Sequence, residues 1–308
     1  MNDFAKLRIT RYEMQARVLA PLILSEYTGS TLHGAFGAAL RRLSCLTGLP
    51  QCQTCSLRFS CAYSYCYETP VAVDSPLMRK YPSAPHPWLV DVDIGPGVWA
   101  AGDLFTFSWT LFGHAQQFAP QMLYVWKKTL QEGLGKKRTS LELMGIRHAG
   151  ETAWQAPDRI PEEVAVLPPL PANPGRLHLR FETPLRIQRN GQMLGAEQLR
   201  FVDLLSALQR RLGLLRAFHE TTSASEWDYR AALAMAEATQ WQKIAASWWG
   251  WPRYSARQKQ WMSWGGVLGE YAIEGLPDPL WPLIYLGQWI HVGKSATFGL
   301  GRYRILPW

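Results

Sequence analysis

Residues 278–307, "DPLWPLIYLGQWIHVGKSATFGLGRYRILP", hold a helix, a glycine-rich turn and a strand, in that order. Pro279 stands in the first turn, where a helix tolerates proline, and Leu280, Leu283, Ile284, Gly287 and Ile290 fall on one face. "RYRILP" (302–307) alternates like a strand. Between them, Gly293-Lys294-Ser295 imitates the end of a P-loop. The register excludes one, because the residue five before Gly293 is Gln288, and a P-loop runs from strand to helix rather than from helix to strand. A dinucleotide fingerprint fails at Arg304, where Gly299-x-Gly301 would need its third glycine. What remains is a basic loop able to wrap a phosphate chain with backbone N–H groups and cations.

The same ending occurs once before. Gly133-Leu134-Gly135 followed by Lys136 separates a helix, "FAPQMLYVWKKTLQEG" (118–133), from a strand within "LGKKRTSLELMGIR" (134–147). Working outward, "KLRITRYEMQARVL" (6–19) and "DLFTFSWTLFG" (103–113) have strand alternation. "STLHGAFGAALRRLSCL" (30–46) reads as a helix starting near Ser30 or Thr31 with Leu32, Phe36, Ala39, Leu40 and Leu43 inward. In the other half, "GRLHLRFETPLRIQRNG" (175–191) is strand material with an Asn190-Gly191 turn, and residues 196–219 form an amphipathic helix. "WPRYSARQKQWMSWGGVLGEYAIEG" (251–275) is a strand pair bent at Gly265-Gly266. Each half is thus β, α, strands, α, glycine-rich loop, β. The expected class is α+β: two tandem ferredoxin-like (RRM-like, β-α-β-β-α-β) domains over 1–150 and 176–308. A proline-rich linker (151–175) joins them, and a Cys-rich insertion (about 44–70) interrupts the first.

The 308 residues are 47% hydrophobic and 12% aromatic, which excludes a disordered chain. No apolar run is long enough to cross a membrane, and "MNDFAKLRIT" lacks a signal-peptide core, so a cytoplasmic protein with no membrane partner is expected. The net charge of +8 favours a polyanionic partner. Its basic runs, 135–138, 210–216, 253–259 and 301–304, are in part interleaved with Tyr or Trp that can stack on bases. Each run is equally well an ordinary solvated face.

Three stretches, 294–305, 253–275 and 30–70, resemble the precursor-CRISPR-RNA processing endoribonucleases of the RAMP superfamily, the branch with a C-terminal G-rich loop. The resemblance implies two ferredoxin-like domains and recognition of CRISPR repeat RNA, with crRNA and other CRISPR effector-complex subunits as partners. It also implies cleavage without a metal or other catalytic cofactor, leaving a 2′,3′-cyclic phosphate and a 5′-hydroxyl. A non-catalytic RAMP subunit that holds guide RNA is the alternative.

Such cleavage needs a base for the 2′-hydroxyl, an acid for the 5′-oxygen and charge to stabilise the phosphorane. Among seven histidines, His33 comes first, because it lies early in the first helix, where the family draws an acid or base. His291, beside the G-rich loop, is second, with a helix C-cap as its plainer role. Tyr27 is a third candidate, as proton donor, base-stacking platform or packing residue. Expected RNA contacts are Arg41 and Arg42, the basic Lys136, Lys137 and Arg138, and Arg253, Tyr254, Arg257 and Gln258 of the strand pair. The terminal loop adds Gly293, Lys294, Ser295, Gly299, Gly301 and Arg302.

All five cysteines fall between 45 and 66, a clustering that points toward metal in a chain with no others. Cys52-x2-Cys55 has knuckle spacing, and Cys45 and Cys61 complete a four-thiolate set, with Cys66 spare. A closed set of this kind suits structural zinc, an iron–sulfur cluster and unligated thiols being the alternatives.

Overall fold

The computed structural model describes residues 7–308 except 73–74, 76, 79–82, 96, 149–154, 157–166, 221–226 and 256–259. The expected linker lies largely outside the described residues, as do Arg257 and Gln258.

Two compact units result. One is built from Leu7–Leu167 and Leu214–Thr222, the other mainly from Pro168–Gly213 and Ser223–Trp308. Residues 214–222 therefore cluster with the first unit, whereas a linear division at 176 puts them in the second. Their anchors are polar: His219 Nε2 lies 2.7 Å from the Pro85 carbonyl, and Glu220 pairs with Arg8 at 3.0 Å.

In the first unit the strands are β1 (Ile9–Val18), β2 (Trp88–Asp91), β3 (Leu104–Phe112) and β4 (Leu141–His148), with α1 (Gly29–Ser44) after β1 and α2 (Ala119–Glu132) after β3. The sheet order is β2-β3-β1-β4, all antiparallel. One face is apolar because side chains alternate along a strand. Tyr12, Met14, Ala16 and Val18 of β1 meet Leu32, Phe36, Ala39 and Leu40 of α1 and Met122, Val125, Trp126 and Leu130 of α2 in one core. Each such burial contributes roughly 1.5–3 kcal/mol. Leu43, expected inward, is 41% exposed, in the last turn of α1.

The second unit repeats the plan with β5 (Arg176–Leu185), α3 (Phe201–His219), α4 (Tyr229–Ala238), β6 (Gln240–Ser255), β7 (Gln260–Glu274), α5 (Trp281–Ile290) and β8 (Tyr303–Leu306). Its sheet order is β6-β7-β5-β8, again antiparallel. Both units therefore have the ferredoxin-like arrangement. The strand pair begins at Gln240, well before the expected Trp251. β5 accompanies β7 only from Val267 to Glu274, so from Trp249↔Gly266 to Ser255↔Gln260 the β6–β7 ladder runs on as a two-stranded ribbon.

The two glycine-rich endings share positive φ at both glycines but differ in ψ, 153° at Gly133 against 4° at Gly299. Gly133 and Gly135 have φ of 94° and 72°, Gly299 and Gly301 have 88° and 71°, and the leucine between each pair is buried at 1% or less.

Candidate functional site

His33 lies in the second turn of α1, a helix that starts after Thr28 with no side-chain cap. It is 4% exposed. Its Nδ1 is 2.9 Å from the Tyr67 hydroxyl, and its ring stacks on Trp88 at 5.0 Å and on His86 at 5.9 Å. Tyr67 comes from the single π-helical turn Ser64–Glu68, and His86 from the extended chain entering β2. Gly37, one helical turn past His33, makes the approach possible: a Cβ there would sit 2.2 Å from the Tyr67 ring. Two imidazoles and a phenol thus share one spot, with the half-buried His86 as the most open of the two histidines. Only His33 was visible in the sequence as a candidate. His86 lies between two prolines and Tyr67 in the Cys-rich stretch, and no periodicity links either to α1.

The other expected groups around α1 are divided. Tyr27 is 1% exposed, a packing position. Arg41 donates to the carbonyls of Leu49 and Pro50, both at 2.8 Å, and so braces the loop after the helix. Arg42 is exposed and pairs with Glu132. Glu132 also meets Arg138 at 3.6 Å, so Arg42 and the turn carrying Lys136, Lys137 and Arg138 share an acidic neighbour. All three turn residues are exposed, held out by the Leu134↔Thr139 bridge.

His291 is fully buried at the C-terminus of α5, with φ 56° and its backbone N–H donating to Gly287. Arg211 Nε donates to the neighbouring Ile290 carbonyl at 2.5 Å, a cation at the negative end of the helix. The loop that follows is folded on itself. Lys294 N–H donates to Arg186, Gly301 N–H to Pro184, Val292 N–H to Gly301, and Arg302 N–H to Thr183 Oγ1. Backbone N–H groups of the loop were expected to face phosphate; those of Lys294, Gly301 and Arg302 bond to the end of β5 and the residue after it, and that of Val292 closes the loop on itself. Lys294 is exposed and Ser295 half-buried. Arg302, expected on RNA, is 9% exposed and pairs with Glu182 at 3.0 Å. The sequence shows its charge but not the carboxylate that the β5–β8 pairing brings beside it.

On the hairpin, Arg253 and Tyr254 lie on β6 opposite Met262 and Trp261. Nearby, Trp248 is 48% exposed, while Trp249 and Trp251 stack at 4.7 Å.

The cysteines divide as well. Cys45, Cys52, Cys55 and Cys61 line one pocket. Cys66 is fully buried against Met122, and its backbone carbonyl accepts from the Trp88 indole at 2.7 Å. Among the described residues no three His, Cys, Asp or Glu side chains are gathered in ligating geometry.

Among the described residues no helix is long and apolar enough to cross a membrane. Residues 7–166 match the family model of the AF_1859_N N-terminal domain, and residues 179–303 match that of the CRISPR-associated endoribonuclease Cas6. No curated protein sequence matches the chain. A product complex of Cas6 from Thermus thermophilus is similar in fold, with a TM-score of 0.56 and 15% identity over 97% of this chain and 100% of that one. A second Cas6 product complex gives 0.54 and 16% identity, over 98% and 100%. The partial Cas6-RT-Cas1–Cas2 complex gives 0.53 and 13%, covering 97% of this chain and 46% of that one.

Proposed function

We propose that the chain, whose residues 179–303 match the CRISPR-associated endoribonuclease Cas6 model, is an endoribonuclease of that family that cuts CRISPR repeat RNA in the precursor transcript by metal-independent acid–base chemistry. The observation that carries the chemistry is the convergence of His33, Tyr67 and His86 at the start of α1. One imidazole takes the proton of the 2′-hydroxyl as its oxygen bonds to phosphorus. The P–O5′ bond then breaks with a proton supplied from the second imidazole, which yields a 2′,3′-cyclic phosphate and a 5′-hydroxyl. Tyr67 fixes the orientation of His33 through Nδ1. His86, the more open ring, reaches the RNA first. His291 has no part in this scheme, because it is buried as the end of α5. Exposed Lys136, Lys137, Arg138 and Lys294 supply phosphate contacts, and the family premise makes crRNA and other CRISPR subunits the partners.

A second reading, a subunit that holds guide RNA without cutting it, draws on the burial of both first-choice histidines, 4% exposed for His33 and 0% for His291. One assay separates the two. Repeat RNA is incubated with wild type, His33→Ala, His86→Ala and His291→Ala in excess EDTA, beside RNA carrying a 2′-deoxy residue at the cut site. The proposal requires cutting that survives EDTA, fails on the deoxy substrate, drops about 100-fold or more in His33→Ala or His86→Ala, and persists in His291→Ala. Tight binding without cutting supports the guide-holding subunit.

A further inference from the structure

The segment from Cys45 to Cys61 has no core of its own. None of its residues is buried, Leu46 is 87% exposed, Phe59 is 55% exposed, and its regular structure is one 3-10 turn at Cys52–Thr54. An apolar loop of this length that buries nothing needs a staple. Along it the half-buried positions are few, and all four cysteines are among them. They line a single pocket together.

Short backbone hydrogen bonds hold the chain in place at each of the four cysteines. Cys45 N–H donates to the Arg41 carbonyl at 2.9 Å, which keeps it at the end of α1, and Gly48 turns the chain at φ 67°. Cys52 and Cys55 bracket a turn closed by the Cys55 N–H to the Cys52 carbonyl at 3.1 Å, and the Thr47 hydroxyl lies 3.6 Å from Cys55 Sγ. Cys61 Sγ sits 3.9 Å from the Ser44 carbonyl, which returns the end of the loop to the end of α1. Arg41 braces the loop from inside through Leu49 and Pro50, and Arg58 holds the Gln53 carbonyl at 2.6 Å, so two guanidinium groups flank the set. Four thiolates around a divalent ion leave a net charge of −2, and these arginines offset it.

We propose that Cys45, Cys52, Cys55 and Cys61 form a structural zinc site in which four thiolates close tetrahedrally on one ion. No three of these sulfurs are yet in ligating geometry, so binding draws them from the pocket wall to about 2.3 Å from a common centre. Each thiol gives up its proton as its Zn–S bond forms, so up to four protons leave per zinc bound. With all four positions filled by sulfur no water is activated, and the ion braces the path from α1 to the turn that carries Tyr67. Cys66 stays outside, committed to the core.

Untagged protein, purified without added metal, tests this by elemental analysis, mercurial titration and cobalt substitution. The expected result is about one zinc per chain. Its release by the mercurial should consume four thiols, and the cobalt form should show the charge-transfer and ligand-field bands of tetrahedral four-sulfur coordination. Cys52→Ser and Cys55→Ser should lose the zinc, whereas Cys66→Ala should keep it. Should either serine variant fail to fold, the wild-type titration and cobalt spectrum decide alone. Metal-free protein whose four thiols react freely or are joined in disulfides overturns the proposal, as does iron in place of zinc.

Discussion

The hydroxyl of Tyr67 and Nδ1 of His33 lie 2.9 Å apart across 34 residues of sequence, over a helix surface that Gly37 leaves bare. A phenol at that nitrogen fixes the tilt of the ring, as donor or acceptor according to the tautomer. Tyr67→Phe keeps the aromatic body and removes only the hydrogen bond, worth about 1.4 kcal/mol at a site of this kind. The expected outcome is a cleavage rate about tenfold lower with RNA affinity unchanged, together with a displaced pH–rate profile. Single-turnover cleavage across pH measures it. A variant that cuts like wild type at every pH removes Tyr67 from the machinery.

The parts of this molecule that obey a period were legible in sequence. The α5 face is one, since Leu280, Leu283, Ile284 and Ile290 are all at most 1% exposed. The repeated Gly-Leu-Gly endings are another, since all four glycines have positive φ and both leucines are buried. Strand β2 escaped notice because its four residues are all buried and so show no alternation. Tyr67 and His86 escaped because tertiary folding alone brings them to His33. Arg302 was legible only in part for a related reason: a charge is visible in a sequence, but Glu182, its partner more than a hundred residues away, is not.

The terminal loop tests the claim that it is a packed element. A Cβ on Gly301 would lie 1.8 Å from the Val292 carbonyl, at φ 71°, whereas at Gly191, φ 83°, it would meet nothing within 4 Å. Gly191→Ala carries only the left-handed backbone cost, about 1 kcal/mol. Gly301→Ala adds a backbone collision and should cost about 3 kcal/mol or more. Urea unfolding of the two variants gives the comparison. Equal midpoints would show that the loop yields easily.

Acid sensitivity should trace in part to Asp203 in the first turn of α3. Burial pushes its carboxyl upward, but the hydrogen bond from Arg189, the Arg200 backbone N–H and both guanidinium charges outweigh this and hold it below the usual carboxylate range. A depressed carboxyl stabilises the fold fully above its unfolded value, near 3.9, and that contribution disappears as pH falls through the lower folded value. Asp203→Asn should therefore be less stable than wild type at pH 6, by about 1–3 kcal/mol, and converge on it near pH 2. Urea titrations at both pH values decide. A gap that stays constant with pH would assign the loss to packing instead of charge.

The exposed turn and the buried arginine make opposite predictions about RNA. Lys136, Lys137 and Arg138 are exposed, with Glu132 beside Arg138, so their charges can displace counterions from phosphates. For single-stranded nucleic acid the slope of log K against log salt is about −0.7 per phosphate neutralised, so replacing all three with alanine should flatten it by about 2. Arg302 is different. Removing it leaves Glu182 facing Arg304 and opens a gap beside β8, so Arg302→Ala should lower stability while the salt slope stays as it was. Filter binding of repeat RNA from low to moderate salt, paired with thermal unfolding, reads both effects. A flattened slope in Arg302→Ala with normal stability would mean that the arginine leaves Glu182 for the RNA, and the loop would then be a phosphate site after all.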